Sequence, residues 1–182
     1  IELRSDVAAA CTIHNLGCVP DCLVSILEAR THFKMFEYYQ RDADPAIRDI
    51  YLSVIIQVCK VDQYVQELHQ EGIIDILDKT TKGEADQVLW PNTIRLVLYI
   101  VNCKIELTES DMQSILSVLT TIVQENTPLD IIAKASVVLA HLSLNLEEIS
   151  PVDPLLRKML LLSHDEVVRE SISIVLYNLS CS

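Results

Sequence analysis

The feature that most constrains this chain is an apolar phrase that returns at a near-constant step. Five copies are present: "AAACTIHNLG", "YLSVIIQVCK", "IRLVLYIVNC", "SVVLAHLSLN" and "SISIVLYNLS". Aligned on Leu16, Val58, Val101, Leu142 and Leu179, they are spaced by 42, 43, 41 and 37 residues. Three positions before each marker stands an aliphatic residue: Ile13, Ile55, Leu98, Leu139 and Leu176. A step of about 40 to 47 residues is the length of one multi-helix solenoid unit. Such a unit cannot bury its apolar face alone and must stack on its neighbours.

Capping signals stand ahead of the phrases. Asp44-Pro45 places a carboxylate before a proline at the first helical position, where the ring costs no hydrogen bond. Thr127-Pro128-Leu129-Asp130 and Ser163-His164-Asp165-Glu166 predict two more helix starts of this kind, each with an acid in the first turn. The phrase is therefore expected to end a helix of about 14 residues. Between phrases, "PDCLVSILEA" and "THFKMFEYYQ" predict two shorter helices, as do "DQYVQELHQEG" and "IIDILDKTTKG", with a turn at Gly72. The third interval differs: Thr108-Glu109-Ser110-Asp111 is a capping box that opens "MQSILSVLTTIVQEN", which reads as one continuous helix. In the fourth, Ser150-Pro151-Val152-Asp153 opens "PLLRKMLLLS".

Composition agrees with an all-helical chain. Half of the 182 residues are hydrophobic, only 5% are aromatic, and three glycines cannot supply the turns of a large β fold or a phosphate-binding loop. The net charge of −12, from 26 acids and 14 bases, argues against direct nucleic-acid binding, which needs a basic footprint. It leaves basic peptides or ordinary protein surfaces as partners, or serves solubility alone. No apolar run approaches the ~18 to 20 residues that cross a bilayer. The chain begins at Ile1, so a fragment of a larger protein is expected, with further repeats of the same chain possible at either end. The six cysteines suit free thiols in the cytoplasm or nucleus.

Several clusters could suggest chemistry. Cys11, His14, Cys18 and Cys22 are metal-capable, but they run along one helix into the next and lack the paired knuckles of a zinc site. Phe33, Phe36 and Tyr39 recur about once per turn and are expected in the core, with a partner-facing patch as the alternative. His164, Asp165 and Glu166 sit at a helix start, where acids complement the helix dipole. No catalytic phrase accompanies them. No catalytic residue, metal or cofactor is therefore assigned.

"EGIIDILDKT" resembles the turn and second helix of an armadillo repeat, and "DEVVRESISIVLYNLSCS" and "SDVAAACTIHNLGC" resemble its third helix. The resemblance spans essentially residues 1–182 as a single domain. It implies an all-α, right-handed α-solenoid, an armadillo/HEAT-like superhelix of about four repeats plus a partial one at the front. Third helices would end near 16, 58, 101, 142 and 179 and line a concave groove. In that family an Asn on the third helix faces the groove and bonds the backbone of an extended peptide. Carried over, the slot holds Asn15, Gln57, His141 and Asn178, with Ile100 interrupting the series. Trp, which would precede the slot by one turn in the importin-alpha branch, is absent from Cys11, Ser53, Leu96, Val137 and Ile174. Arg48 and Arg169, nine residues before the slot, are candidate groove bases for an acidic partner, or else solvated residues paired with Asp44 and Asp165. The expectation is a non-enzymatic scaffold or adaptor that holds a protein or peptide partner in its groove. The alternative is a structural segment of a larger assembly, using the convex face or open ends.

Overall fold

Repeated helices, each too short to bury its own apolar face, must find cover on a neighbour, and the stacking order shows how they do so. The computed structural model describes residues 2–42, 44–82, 84–103, 105–146 and 151–181. Among them are α1 (Glu2–Gly17), α2 (Pro20–Glu28), α3 (Thr31–Arg41), α4 (Pro45–Val58), α5 (Asp62–Gln70) and α6 (Ile73–Thr81). There follow α7 (Trp90–Asn102), α8 (Glu109–Ile122), α9 (Leu129–Leu142), α10 (Asp153–Leu162) and α11 (Glu166–Cys181). No strand occurs among the described residues. The five helices that carry the recurring phrase form one row, with α1 against α4, α4 against α7, α7 against α9 and α9 against α11. The remaining helices pack in a second layer behind that row. The result is an all-α solenoid with one continuous core.

Burial along the row sets the repeat register, and it differs from the sequence alignment by one residue at α7. In α4 the buried positions include Tyr51, Leu52, Val54, Ile55 and Val58, and in α7 they include Thr93, Ile94, Leu96, Val97 and Ile100. In α9 the same pattern falls on Ala135, Ser136, Val138, Leu139 and Leu142. Val58, Ile100 and Leu142 are therefore equivalent, 42 residues apart, and Leu179 follows 37 later. The marker on α7 is Ile100, 1% exposed, and not the half-buried Val101. At the front, Leu16 is 44% exposed, because its helix is covered mainly by α4 and α2.

Polar links between units repeat with the same interval. Tyr39 and Thr80 share a 2.7 Å hydrogen bond across 41 residues. Asn92 donates to Asp49 at 2.8 Å across 43 residues, and His69 meets Asp111 at 3.0 Å across 42. Further along, Lys158 donates to Gln124 across 34 residues and Asn178 to Ser143 across 35. The interval shortens along with the last step of the row, which is 37 residues and not 42. Units ending at α4 and α7 carry two short helices before the long one (α2 and α3, α5 and α6), whereas α9 and α11 are each preceded by one, α8 and α10.

Of the caps expected from the sequence among the described residues, two form and two do not. Asp44 accepts from the Ala46 N–H at 2.9 Å. Thr108 and Asp111 form the complete capping box, with Asp111 accepting from the Thr108 N–H at 2.8 Å. Burial pushes the Asp111 carboxyl up, but the Thr108 donors and His69 outweigh it and hold it below the usual range. Thr127 does not cap α9: its hydroxyl donates back to the Ile122 carbonyl and closes the end of α8. The cap of α11 is Asp165, which accepts from the Val167 N–H at 2.8 Å, while Ser163 accepts from Asp165. Ser150 lies outside the described residues.

The turn that precedes the second short helix is left-handed in both three-helix units. Gly72 has φ +79° ahead of α6, and Arg30, 42 residues earlier in the register, has φ +51° ahead of α3. Arg30 meets the cost of that conformation with two contacts. Its guanidinium lies 4.6 Å from the Phe33 ring centre and 3.4 Å from Glu67. Behind it, Phe36 and Tyr39 enter the core as expected and Met35 joins them, whereas Phe33, expected there too, is half-buried.

Candidate functional site

A helix that stacks on both neighbours has only one face left for solvent, and on the row helices that face forms clefts. Two of them adjoin along α9. The first, about 330 Å³, lies between α7 and α9 and is lined by Arg95, Leu98, Tyr99, Asn102 and Lys134. The second, about 350 Å³, lies between α9 and α11. Val137, Ala140, His141 and Leu144 line one side of it, and Val167, Glu170, Ser171, Ile174 and Asn178 the other. The 42-residue register makes them versions of one cleft. Arg95 corresponds to Val137, Leu98 to Ala140, Tyr99 to His141 and Asn102 to Leu144. The following step of 37 pairs Lys134 with Ser171 and His141 with Asn178.

The corrected register changes the expected slot series. Tyr99, not Ile100, stands in line with Gln57, His141 and Asn178, and Ile100 is a core residue. One turn earlier the position on α7 is Arg95, not the fully buried Leu96. Sequence reasoning missed Tyr99, Arg95 and Lys134. Neighbouring rows of α7 are both aliphatic, so the pattern alone leaves its rotation open by about 100°, one residue's turn.

The structure distributes the expected site residues over three surroundings. His141 and Asn178 come together in the α9–α11 cleft, where the Asn178 amide donates to Ser143 at 2.9 Å. Asn15 is exposed on α1. Gln57 is half-buried on α4, its Oε1 buried without a hydrogen-bond partner. Its Cβ packs so close to Gly17 that a Cβ there would lie 3.4 Å away.

Arg48 and Arg169 stand on the other side of their helices. Nine residues are two and a half helical turns, which points a side chain away from the slot. Their equivalents on α7 and α9 are Trp90 and Ile132, 6% and 1% exposed. Arg48 is half-buried on this stacking stripe, and Arg169 is exposed on it and donates to the His164 carbonyl. The stripe continues on α9 as Ser136, Leu139 and Ser143, all buried under α11, and on α11 as Ser173, Leu176 and Ser180, all exposed.

Other clusters offer less. Cys11 and Cys18 are exposed free thiols, Cys22 is half-buried, and no group of three or more metal-capable side chains occurs among the described residues. Cys59 is a buried thiol whose pKa burial pushes up to about 12, which makes it a poor nucleophile at neutral pH. No helix among the described residues is long and apolar enough to cross a membrane.

No family model matches the chain, and no curated protein matches it. A solved structure does: "Crystal structure of computationally designed armadillo repeat proteins for modular peptide recognition". It is similar to this chain at TM-score 0.69 and 15% identity, over 94% of this chain and 74% of that one. With the stacked row, the left-handed turns and the 42-residue register, that likeness establishes an armadillo-like repeat fold.

Proposed function

We propose that this chain is a non-enzymatic interaction scaffold that holds an extended peptide segment of a protein partner along the face of α7, α9 and α11. One observation carries the proposal: the same cleft occurs twice in succession, built from equivalent positions of successive row helices. Neighbouring helices pack ~8 to 10 Å apart, about three residues of an extended chain. A row of clefts at that pitch suits a peptide that drops side chains into them in turn. Tyr99, His141 and Asn178 supply hydrogen-bonding groups for its backbone. By register, Gln57 and Asn15 would continue the series towards α1. The designed structure it resembles bears peptide recognition in its description, which agrees with this proposal.

The test is selection of a randomised 12-residue phage library on the folded chain, followed by affinity measurement on an Ile174→Asp variant. Ile174 is 44% exposed, so the variant should keep its helical circular dichroism. The selected peptides should bind it at least about tenfold more weakly, as expected for a charge in an apolar pocket. Undiminished binding would remove the groove from consideration.

A second use is favoured by the stripe of Arg169, Ser173, Leu176 and Ser180, whose equivalents on α9 are covered by α11. A further helical unit, from this chain or from a larger assembly, would pack there as α11 packs on α9.

A further inference from the structure

The two clefts share a geometry but differ in chemistry, and the difference specifies an occupant. In the α9–α11 cleft the equivalent positions hold Val137, Leu144 and Ser171. In the α7–α9 cleft they hold Arg95, Asn102 and Lys134. Three substitutions at matched places thus turn an apolar pocket into one rich in donors, with two cations and no carboxylate in its lining. Lys134 already reaches Asp130 on its own helix at 3.0 Å. Arg95 is exposed and donates to the Asn92 side-chain Oδ1 at 3.3 Å, with no ion-pair partner among the described residues. A cationic pocket in a chain of net charge −12 is a local reversal of sign. An exposed guanidinium beside an amide donor and a tyrosine hydroxyl matches a carboxylate, which takes two parallel N–H bonds from Arg.

We infer that the peptide carries an Asp or Glu in the α7–α9 cleft and an aliphatic side chain in the α9–α11 cleft, about three residues apart. This rests on the groove proposal above and adds the identity of the two anchors. Arg95 is its main acidic-residue contact, and Lys134 adds charge while shared with Asp130. A lysine or arginine in the same place would meet like charge.

The experiment repeats the 12-residue library selection on the wild-type chain and on an Arg95→Glu/Lys134→Glu variant. Both positions lie at the surface edge of the cleft, and circular dichroism checks the fold. The wild type should enrich peptides with Asp or Glu about three residues from Leu, Ile or Val. The variant should lose that acid and enrich Lys or Arg in its place, and wild-type peptides should bind it at least about tenfold more weakly. Peptides that lose affinity on Ile174→Asp, yet show no acidic bias and tolerate the double reversal, would overturn this inference and leave the groove proposal standing. Peptides indifferent to both variants, or no selected peptides, would overturn both.

Discussion

The front and back of this solenoid solve the same packing problem with different parts. The units that end at α4 and α7 place two short helices, broken by a left-handed turn, behind each long helix. The units that end at α9 and α11 use a single helix in that place, α8 or α10, and the last step shortens to 37 residues. The long row helix nevertheless keeps its burial pattern from α4 through α9. The row helix is tied at both sides, since it stacks on the helices before and after it. The backing helices have more freedom, because they need only cover one side of it. A site built on the row helices is therefore insulated from variation behind them.

The largest effect should come from truncating the stacking stripe. Ile55 in the front and Leu139 in the back are both fully buried at equivalent positions, and each change to Ala should cost ~2 to 5 kcal/mol. Leu176 holds the same register position on α11 but is 46% exposed, so Leu176→Ala should cost under about 1 kcal/mol. Urea unfolding of the three variants checks the register. Equal losses at Leu139 and Leu176 would break the equivalence, and a small loss at Ile55 would deny that front and back share a common row.

A smaller effect concerns the turn that only the front units possess. Gly72→Ala should destabilise by roughly 1 kcal/mol: nothing lies within 4 Å of the added Cβ, so the cost is that of a non-glycine residue at φ +79°. Arg30→Gly relieves the same conformation but removes the Phe33 and Glu67 contacts, so its change should be smaller than that of Gly72→Ala. Thermal melts of the pair would show whether the two turns are the same device. A greater loss at Arg30 would show that its side chain matters more than the backbone relief.

The least effect should appear on mild acidification. His32 is fully buried in α3, at the register position that Ile74 holds in α6. Burial lowers its pKa below the usual histidine value, against an opposing pull from Glu67, 3.5 Å away. The unfolded chain therefore takes up a proton near pH 6.5 that the folded chain resists. Stability tied to this group is whole above about pH 6.5 and is lost as the pH falls through that range towards the folded pKa. Urea midpoints at pH 7.5 and 5.5 should fall further for the wild type than for a His32→Leu variant, in which the other histidines still titrate. Equal falls would remove the front unit's acid sensitivity.

Most of the helices were legible because their signals are local. Asp44 before Pro45, the Thr108 and Asp111 box and the glycine at 72 act within one turn of where they are written. The turn at Arg30 was not legible, because an arginine carries no such signal and only the fold holds it at positive φ. The cleft was half legible. His141 and Asn178 were indicated by their likeness to the repeat, whereas Tyr99, Arg95 and Lys134 were hidden by the one-residue slip on α7. Arg48 and Arg169 were placed in the groove by counting nine residues, which carries a side chain to the opposite side of a helix.

By itself, the sequence determined that this chain is a stack of helical units with a period near 42 and long helices that end in aliphatic phrases. Period and caps follow from local backbone chemistry and from the need of each apolar face for cover. Only the tertiary structure decided how α7 is rotated. In "IRLVLYIVNC" aliphatic side chains point almost all the way round, and contact with α4 and α9 selects Val97 and Ile100 for the core. That choice leaves Arg95 and Tyr99 facing the cleft.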